Sequence, residues 1–321
     1  MDKAITSNSS KNFIDIVKTN LRTSVVFIAL VVIVIFFSIA TTSFATIGNL
    51  EVILRQVSIL AILSFGMTFV ISSAGIDLSV GSIIALTGMV SALAINAGSG
   101  ILLASLAGIG VGTAFGLFNG AIISFVRLPP FLVTLGSMSI VRGIAMVITG
   151  TYPVPLTDKS FSVVWGNGNI LGVPAIILWA VLFFVIMHVM YRITPFGNFI
   201  CAIGGNETAA RYAGVKVAKN KALVYVINGF LAGIAGMLML ARLSTGRCDL
   251  GTDSAMDSIT AVILGGTSLF GGRGSIVFSL VGALILTVLT NGLVIMGVDS
   301  NYQLIIKGAI VILAVSFSEK R

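Results

Sequence analysis

Charge is what this chain has least of. Only 9% of its 321 residues are charged while 57% are hydrophobic, where a soluble domain carries roughly 25% charge. With a mean hydropathy of +1.10, this excludes an ordinary soluble enzyme and predicts an all-α polytopic membrane protein. Histidine occurs once, at His188, and cysteine twice, at Cys201 and Cys248. Neither a disulfide framework nor a His/Cys metal centre is expected, so no metal ligand is assigned. No stretch fits the G-x-x-x-x-G-K-[ST] phosphate loop, so ATP binding of that kind is not expected here. None of the eleven acidic residues lies deep in an apolar run, which disfavours proton coupling and leaves sodium coupling through carbonyls and hydroxyls open.

What is there in abundance is apolar sequence in lengths that span a bilayer. Runs occur at 23–40, 57–74, 80–97, 101–126, 131–149, 174–191, 222–241, 259–270, 276–296 and 302–317, giving about ten transmembrane or re-entrant helices at ~20 residues per span. The run 259–270 is short and ends in Gly271-Gly272, so it either crosses or re-enters. The first run is long enough to stay as an anchor rather than be cleaved after Ala45. The expected organisation is a cytoplasmic tail at 1–22, a membrane domain at 23–318 with a cytoplasmic loop at 192–221, and a cytoplasmic end at 319–321. The excess of Lys and Arg on one side of that arrangement supports both termini being inside, and accounts for the net charge of +8 without invoking nucleic acid. All six prolines sit at the edges of these runs, whereas Gly108, Gly112, Gly116 and Gly120 recur every fourth residue. That spacing makes a smooth face for a neighbouring helix.

The one substantial polar interruption is the stretch from Arg192 to Lys221. Within it Asn206 is placed to cap a short helix, Glu207 falls in its first turn with Thr208 and Ala209, Arg211 lies four residues on beside Tyr212, and Gly214 supplies a left-handed stop. A helix this short is marginal alone; it is either a surface turn or docks against a partner.

Polar groups within apolar segments are the other candidates. Arg142 must face a cavity or a polar partner rather than lipid, either pairing structurally or lining a path; Lys307 is near enough to its segment's end to snorkel. Asn119, Thr134, Asn228 and Asn291 offer hydrogen bonds that a solute route needs, although bonding between helices accounts for them too. In the turn Ser72 to Ser82, Asp77 or Ser79 is expected to cap the next helix, with Gly75 and Gly81 easing a bend.

Three runs carry a resemblance: GMTFVISSAGIDLSVGSIIALTG at 66–88, AIGGNETAARYAGV at 202–215 and AVILGGTSLFGGRGSIVFSLVGALIL at 261–286. They are similar to the permease subunits of ABC-type monosaccharide importers, most of all ribose permeases, with galactoside, xylose and autoinducer permeases nearby. The resemblance covers most of the chain from about Leu50 onward and implies the ABC importer permease fold in a bacterial plasma (inner) membrane. It also implies a second permease copy, cytoplasmic ATPase subunits that bind ATP and Mg, and an extracytoplasmic sugar-binding protein. The chain itself would hydrolyse nothing and carry no cofactor. Asn206 to Tyr212 would be the helix coupling it to the ATPase, and the loops 150–173 and 242–257 are candidate docks for the binding protein. An autonomous ion-coupled carrier is the competing class.

Overall fold

The computed structural model describes residues 26–170 and 172–319. The tail expected at 1–22 and residues 320–321 lie outside them. Among the described residues, six helices are long and apolar enough to cross a membrane. These are α2 (Ile47–Ser72), α4 (Gly100–Ala121, prolonged by a π turn to Val126), α5 (Pro130–Thr149), α7 (Ala175–Arg192), α10 (Val217–Leu243) and α12 (Ile276–Ile295). The other helices are α1 (Val26–Ala40), α3 (Val80–Asn96), α6 (Lys159–Ser162), α8 (Pro195–Gly205), α9 (Glu207–Tyr212), α11 (Ser254–Leu264) and α13 (Ser300–Glu319). Helix starts follow ordinary chemistry: Thr46 Oγ1 accepts from Asn49 N at 3.3 Å at the head of α2, Ser275 Oγ accepts from Phe278 N at 3.4 Å at the head of α12, and prolines open α5 and α8.

The core is built around α10 and α2, which are 78% and 72% buried along their apolar windows, against 22–28% for α4, α5 and α7. The glycine stripe of α4 lies on α10 from Gly112 to Gly120, while Gly108 meets Ser91 and Thr87 of α3. A β-carbon on Gly112 would stand 2.6 Å from Gly229 O, one on Gly116 2.5 Å from Tyr225 O, and one on Gly120 2.5 Å from Ala222 O. Backbone meets backbone, so there is no side chain to move aside. We expect Gly116→Leu to force α4 off α10, an overpacking penalty of about 3 kcal/mol or more, read as loss of folded protein by fluorescence-detected size-exclusion chromatography; Gly110→Leu, where no atom lies within 4 Å of the added carbon, should elute normally.

Two of the apolar runs form helices too short to match α10 end to end: 80–97, read as a span, and 259–270, left open between crossing and re-entry. Ile84 packs against Gly236 of α10, so Val80, four residues earlier, lies about fifteen residues past the start of α10, or roughly 22 Å along it at 1.5 Å per residue. Helix α3 thus begins midway along α10, and the chain from Ser73 to Ser79 climbs to it as largely buried, non-helical backbone, with Ala74 exposed. Helix α11 does the reverse. Gly265 packs on Phe278 and Gly282 on Ala261, so α11 starts deep and descends, and it stops at Gly266 (φ +82°), earlier than the predicted 259–270. Its approach segment meets the head of α3, where a β-carbon on Gly251 would lie 2.5 Å from Gly81 O. Irregular backbone at this depth is tolerable because protein surrounds it.

On the face reached by the C-termini of α3 and α10, the two long loops are joined. Strand β1 (Val154–Pro155) pairs antiparallel with β4 (Thr245–Gly246), while β2 (Asn169–Ile170) pairs with β3 (Val173–Pro174). Trp165 stacks on Trp179 at 4.5 Å between ring centres and donates to Ser105 Oγ at 2.8 Å, and Arg55 reaches Gly166 O and Asn167 Oδ1. The two loops therefore form one cap.

Candidate functional site

Helix α9 has the features its sequence implies, set in a defined frame. Asn206 Oδ1 accepts from Ala209 N at 2.9 Å. Glu207 holds two cations at once, Arg211 Nη2 at 3.0 Å and Lys221 Nζ at 2.7 Å. The Lys221 bond, with the nearby charges of Lys221 and Arg211, draws the Glu207 carboxyl below its ordinary value of 4.5. Ala210 alone is buried, whereas Thr208, Ala209 and Arg211 are exposed and Tyr212 is 89% exposed. A tyrosine that open is a residue type enriched where protein surfaces meet.

The lock continues inward. Lys221 is in the first turns of α10, so Glu207 ties α9 to the most buried helix. On the other side α8 is fastened to the C-termini of α2 and α7 and to the link between α11 and α12: Gly204 abuts Ser72 and Gly272, Gly272 N donates to Ser72 O at 3.0 Å, and Ser72 Oγ, Tyr191 OH and Cys201 Sγ form a chain with spacings of 2.8 Å and 3.2 Å. These contacts link α8 and α9 to the ends of α2, α7 and α10.

The second centre is at the head of α3. Asp77, fully buried, accepts from Ser79 N at 2.9 Å and Ser79 Oγ at 2.6 Å through Oδ1, and from Asn228 Nδ2 at 2.9 Å through Oδ2. Asn119 Nδ2 donates to Ser79 Oγ at 2.9 Å. Three residues from separate parts of the sequence reading, namely Asp77, Asn119 and Asn228, thus form one network joining the linker, α4 and α10. Two expectations are corrected here. Neither Asp77 nor Ser79 caps α3 through its side chain; Ser79 takes the cap position but spends its hydroxyl on Asp77, because a carboxylate without water needs every donor in reach. The bend is made at Ala74 (φ +58°), not at Gly75 or Gly81. Gly75 is small because Tyr225 OH occupies the space beside it, and Gly81 because Gly251 does.

The remaining polar candidates do not converge. Thr134 Oγ1 bonds Pro130 O at 2.9 Å and reaches Ile76 O at 3.5 Å. Asn291 Nδ2 bonds Asn49 Oδ1 at 2.9 Å, joining α12 to α2. Arg142 donates to Cys248 O and, at 3.1 Å, to Leu250 O, so it holds the segment leading down to α11. Lys307 is more than a snorkelling cation: its Nζ sits 3.0 Å from Asp257 Oδ2. That ion pair borders a cavity of about 150 Å³, also lined by Gln56, Arg242, Thr287 and Thr290. Sequence reasoning missed this cavity because its residues come from five helices with no shared motif. Among the described residues, no group of three or more His, Cys, Asp or Glu side chains is placed to hold a metal.

Comparison with known proteins agrees with this architecture. The family model described as "Branched-chain amino acid transport system / permease component" matches residues 49–315. The ribose import permease protein of Escherichia coli strain K12 is 43% identical over 297 residues, 92% of each chain. The D-allose transport system permease protein of the same strain is 36% identical over 291 residues, 90% of this chain and 89% of that one. A probable ABC transporter permease protein, also of Escherichia coli K12, is 32% identical over 288 residues, 90% of this chain and 86% of its own. No solved structure gives a significant match. With a match that takes in nearly the whole membrane domain and relatives of this identity along most of their length, the chain belongs to the permease components of ABC-type importers, as a multi-pass transport subunit of the membrane.

Proposed function

We propose that this permease subunit serves an ATP-driven, binding-protein-dependent monosaccharide importer, with ribose as its first candidate substrate. Its similarity to ribose permeases and to an allose permease over nine-tenths of the chain supports a sugar. Galactose, xylose or an autoinducer belongs to the same reading. In a bacterial plasma membrane the α9 face would be cytoplasmic, as the cations Arg127, Arg192, Arg211, Lys216, Lys219 and Lys221 gathered near it favour. Both termini would then be inside and the β1–β4 cap would face the sugar-loaded binding protein.

The observation that carries the mechanism is the exposed Tyr212 and Arg211 on a helix bound through Glu207 to α10. An ATPase subunit gripping Asn206 to Tyr212 would push on the inner ends of α2, α7 and α10, and through Asn228 on Asp77 and the head of α3. ATP and Mg remain with that partner. The stroke can shift the opening only by as much as nucleotide and binding protein favour one state over the other. A second copy of this chain would complete the passage. The polar cavity at Asp257 and Lys307, on the face opposite α9, is where a polyhydroxyl solute finds donors and acceptors, whereas Asn119 and Asn228 are engaged by Asp77 and Ser79.

The test is uptake of radiolabelled sugars by cells that express this chain with its ATPase and binding protein. Ribose uptake that stops when the ATPase lysine is mutated supports the reading. Uptake of leucine in place of any sugar would move the substrate to the amino-acid class, and uptake independent of the ATPase would favour an autonomous carrier.

A further inference from the structure

Beside α9 the surface opens into a cleft of about 690 Å³ between the end of α4 and the start of α10. Its charge is one-sided. Arg127, Lys216 and Lys219 line it, and among the described residues none of them has an acidic partner; Arg211 and Lys221 line it too, sharing the single carboxylate of Glu207. At its base the π turn Ile122–Val126 turns Ser124 inward, 8% exposed, and its hydroxyl has no hydrogen-bond partner. A buried hydroxyl left open in a basic cleft is a donor waiting for an acceptor.

The rim says what kind of acceptor. Phe125, Val126 and Leu128 are 66%, 64% and 47% exposed, and they continue the apolar flank of α4 formed by Leu117 and Phe118. An apolar flank this exposed on a membrane-spanning helix fits a lipid environment. The cleft thus lies where the acyl region ends and the headgroups begin, with cations just beyond the last apolar turn. A free phosphate would use the cations and leave the rim unexplained. An acidic surface of the ATPase would meet α9 from the water side, not along α4.

We propose that this cleft binds the phosphodiester headgroup of an anionic phospholipid, with Arg127, Lys216 and Lys219 pairing with the phosphate, Ser124 donating to it, and the acyl chains lying along Phe125 and Leu128. The proposal rests on the cytoplasmic placement of α9 given above. Basic pockets of this kind at the inner leaflet recognise anionic lipids through charge and position together. The lipid would brace the corner from which α9 acts.

Native mass spectrometry of the full chain with its ATPase, titrated with phosphatidylglycerol or phosphatidylcholine, reads this directly. Phosphatidylglycerol should be retained well above phosphatidylcholine. Replacing the three unpaired cations together, R127Q/K216Q/K219Q, should weaken its binding about a hundredfold, while R127K/K216R/K219R keeps it and ATPase attachment is unchanged in both. Excess inorganic phosphate should not displace the lipid. Equal retention of the two lipids by the unaltered chain overturns the proposal, whether or not the variants fold. So does displacement by phosphate, which would mark a site for the free anion, and so does loss of the ATPase with phosphatidylglycerol still bound, which would give the cleft to the protein partner. Normal lipid selectivity in a preparation that never binds an ATPase upholds the site and sinks the coupling reading instead.

Discussion

Asp77→Ala is expected to reduce uptake more than tenfold, whereas Asp77→Asn should stay within about threefold of the parent. The carboxylate takes three hydrogen bonds in a volume sealed from solvent. Removing it strands Ser79 N–H and the Asn228 amide, at about 1–3 kcal/mol for each buried group left unpaired. It also frees the linker that sets α3 midway along α10. The amide replacement differs because Asn228 has a spare acceptor. Its Oδ1 is buried without a partner, lying against Gly66, so exchanging the positions of the Asn228 amide oxygen and nitrogen lets it accept from the new N–H while the replacement's oxygen keeps both bonds from Ser79. Uptake normalised to membrane protein, measured for both variants, checks the pair; equal defects would mean that the negative charge itself is required.

Glu207→Lys is expected to lower ATPase co-purification at least tenfold while the protein still inserts. The change places a third cation between Arg211 and Lys221, so α9 loses both ion pairs and gains repulsion where it was paired with α10. The double change Glu207→Ala with Arg211→Ala should act in the same direction and more mildly, because partly exposed pairs are screened. The pH dependence follows from the lowered carboxyl. A group whose folded value lies below its unfolded one stabilises fully above the unfolded value and loses that contribution as pH falls through the folded one. Attachment of the ATPase through α9 should therefore be flat from about pH 5 upward and weaken only in acid below the ordinary 4.5. Equilibrium binding of the purified ATPase across that range is the measurement.

Much of this was legible in the residues. Asn206, Glu207 and Arg211 stand at the spacing of a capped helix with a paired face, and the structure has that cap and that pair. The stripe from Gly108 to Gly120 announced a close helix contact, although not that α10 answers it with Gly229 and Gly233. Local periodicity fails where the third dimension decides. Nothing in 80–97 distinguishes a helix that runs the length of α10 from one that starts halfway along it, because both are apolar throughout; only the register of Ile84 on Gly236 does. Likewise Asp77, Asn119 and Asn228 are separated by so much chain that their union appears only when α3, α4 and α10 are packed. Lys221, the second partner of Glu207, lies fourteen residues on, outside any helical spacing.

The central claim is that α9 passes the work of a separate ATPase to a passage for sugar. Its most direct test is ATP hydrolysis in proteoliposomes holding this chain and its ATPase, with the binding protein added empty or loaded with ribose. The account predicts hydrolysis stimulated by the loaded protein in the parent and no stimulation in Glu207→Lys, with both chains inserted equally. Full stimulation in that variant, or ribose movement by this chain alone without ATP, would contradict it.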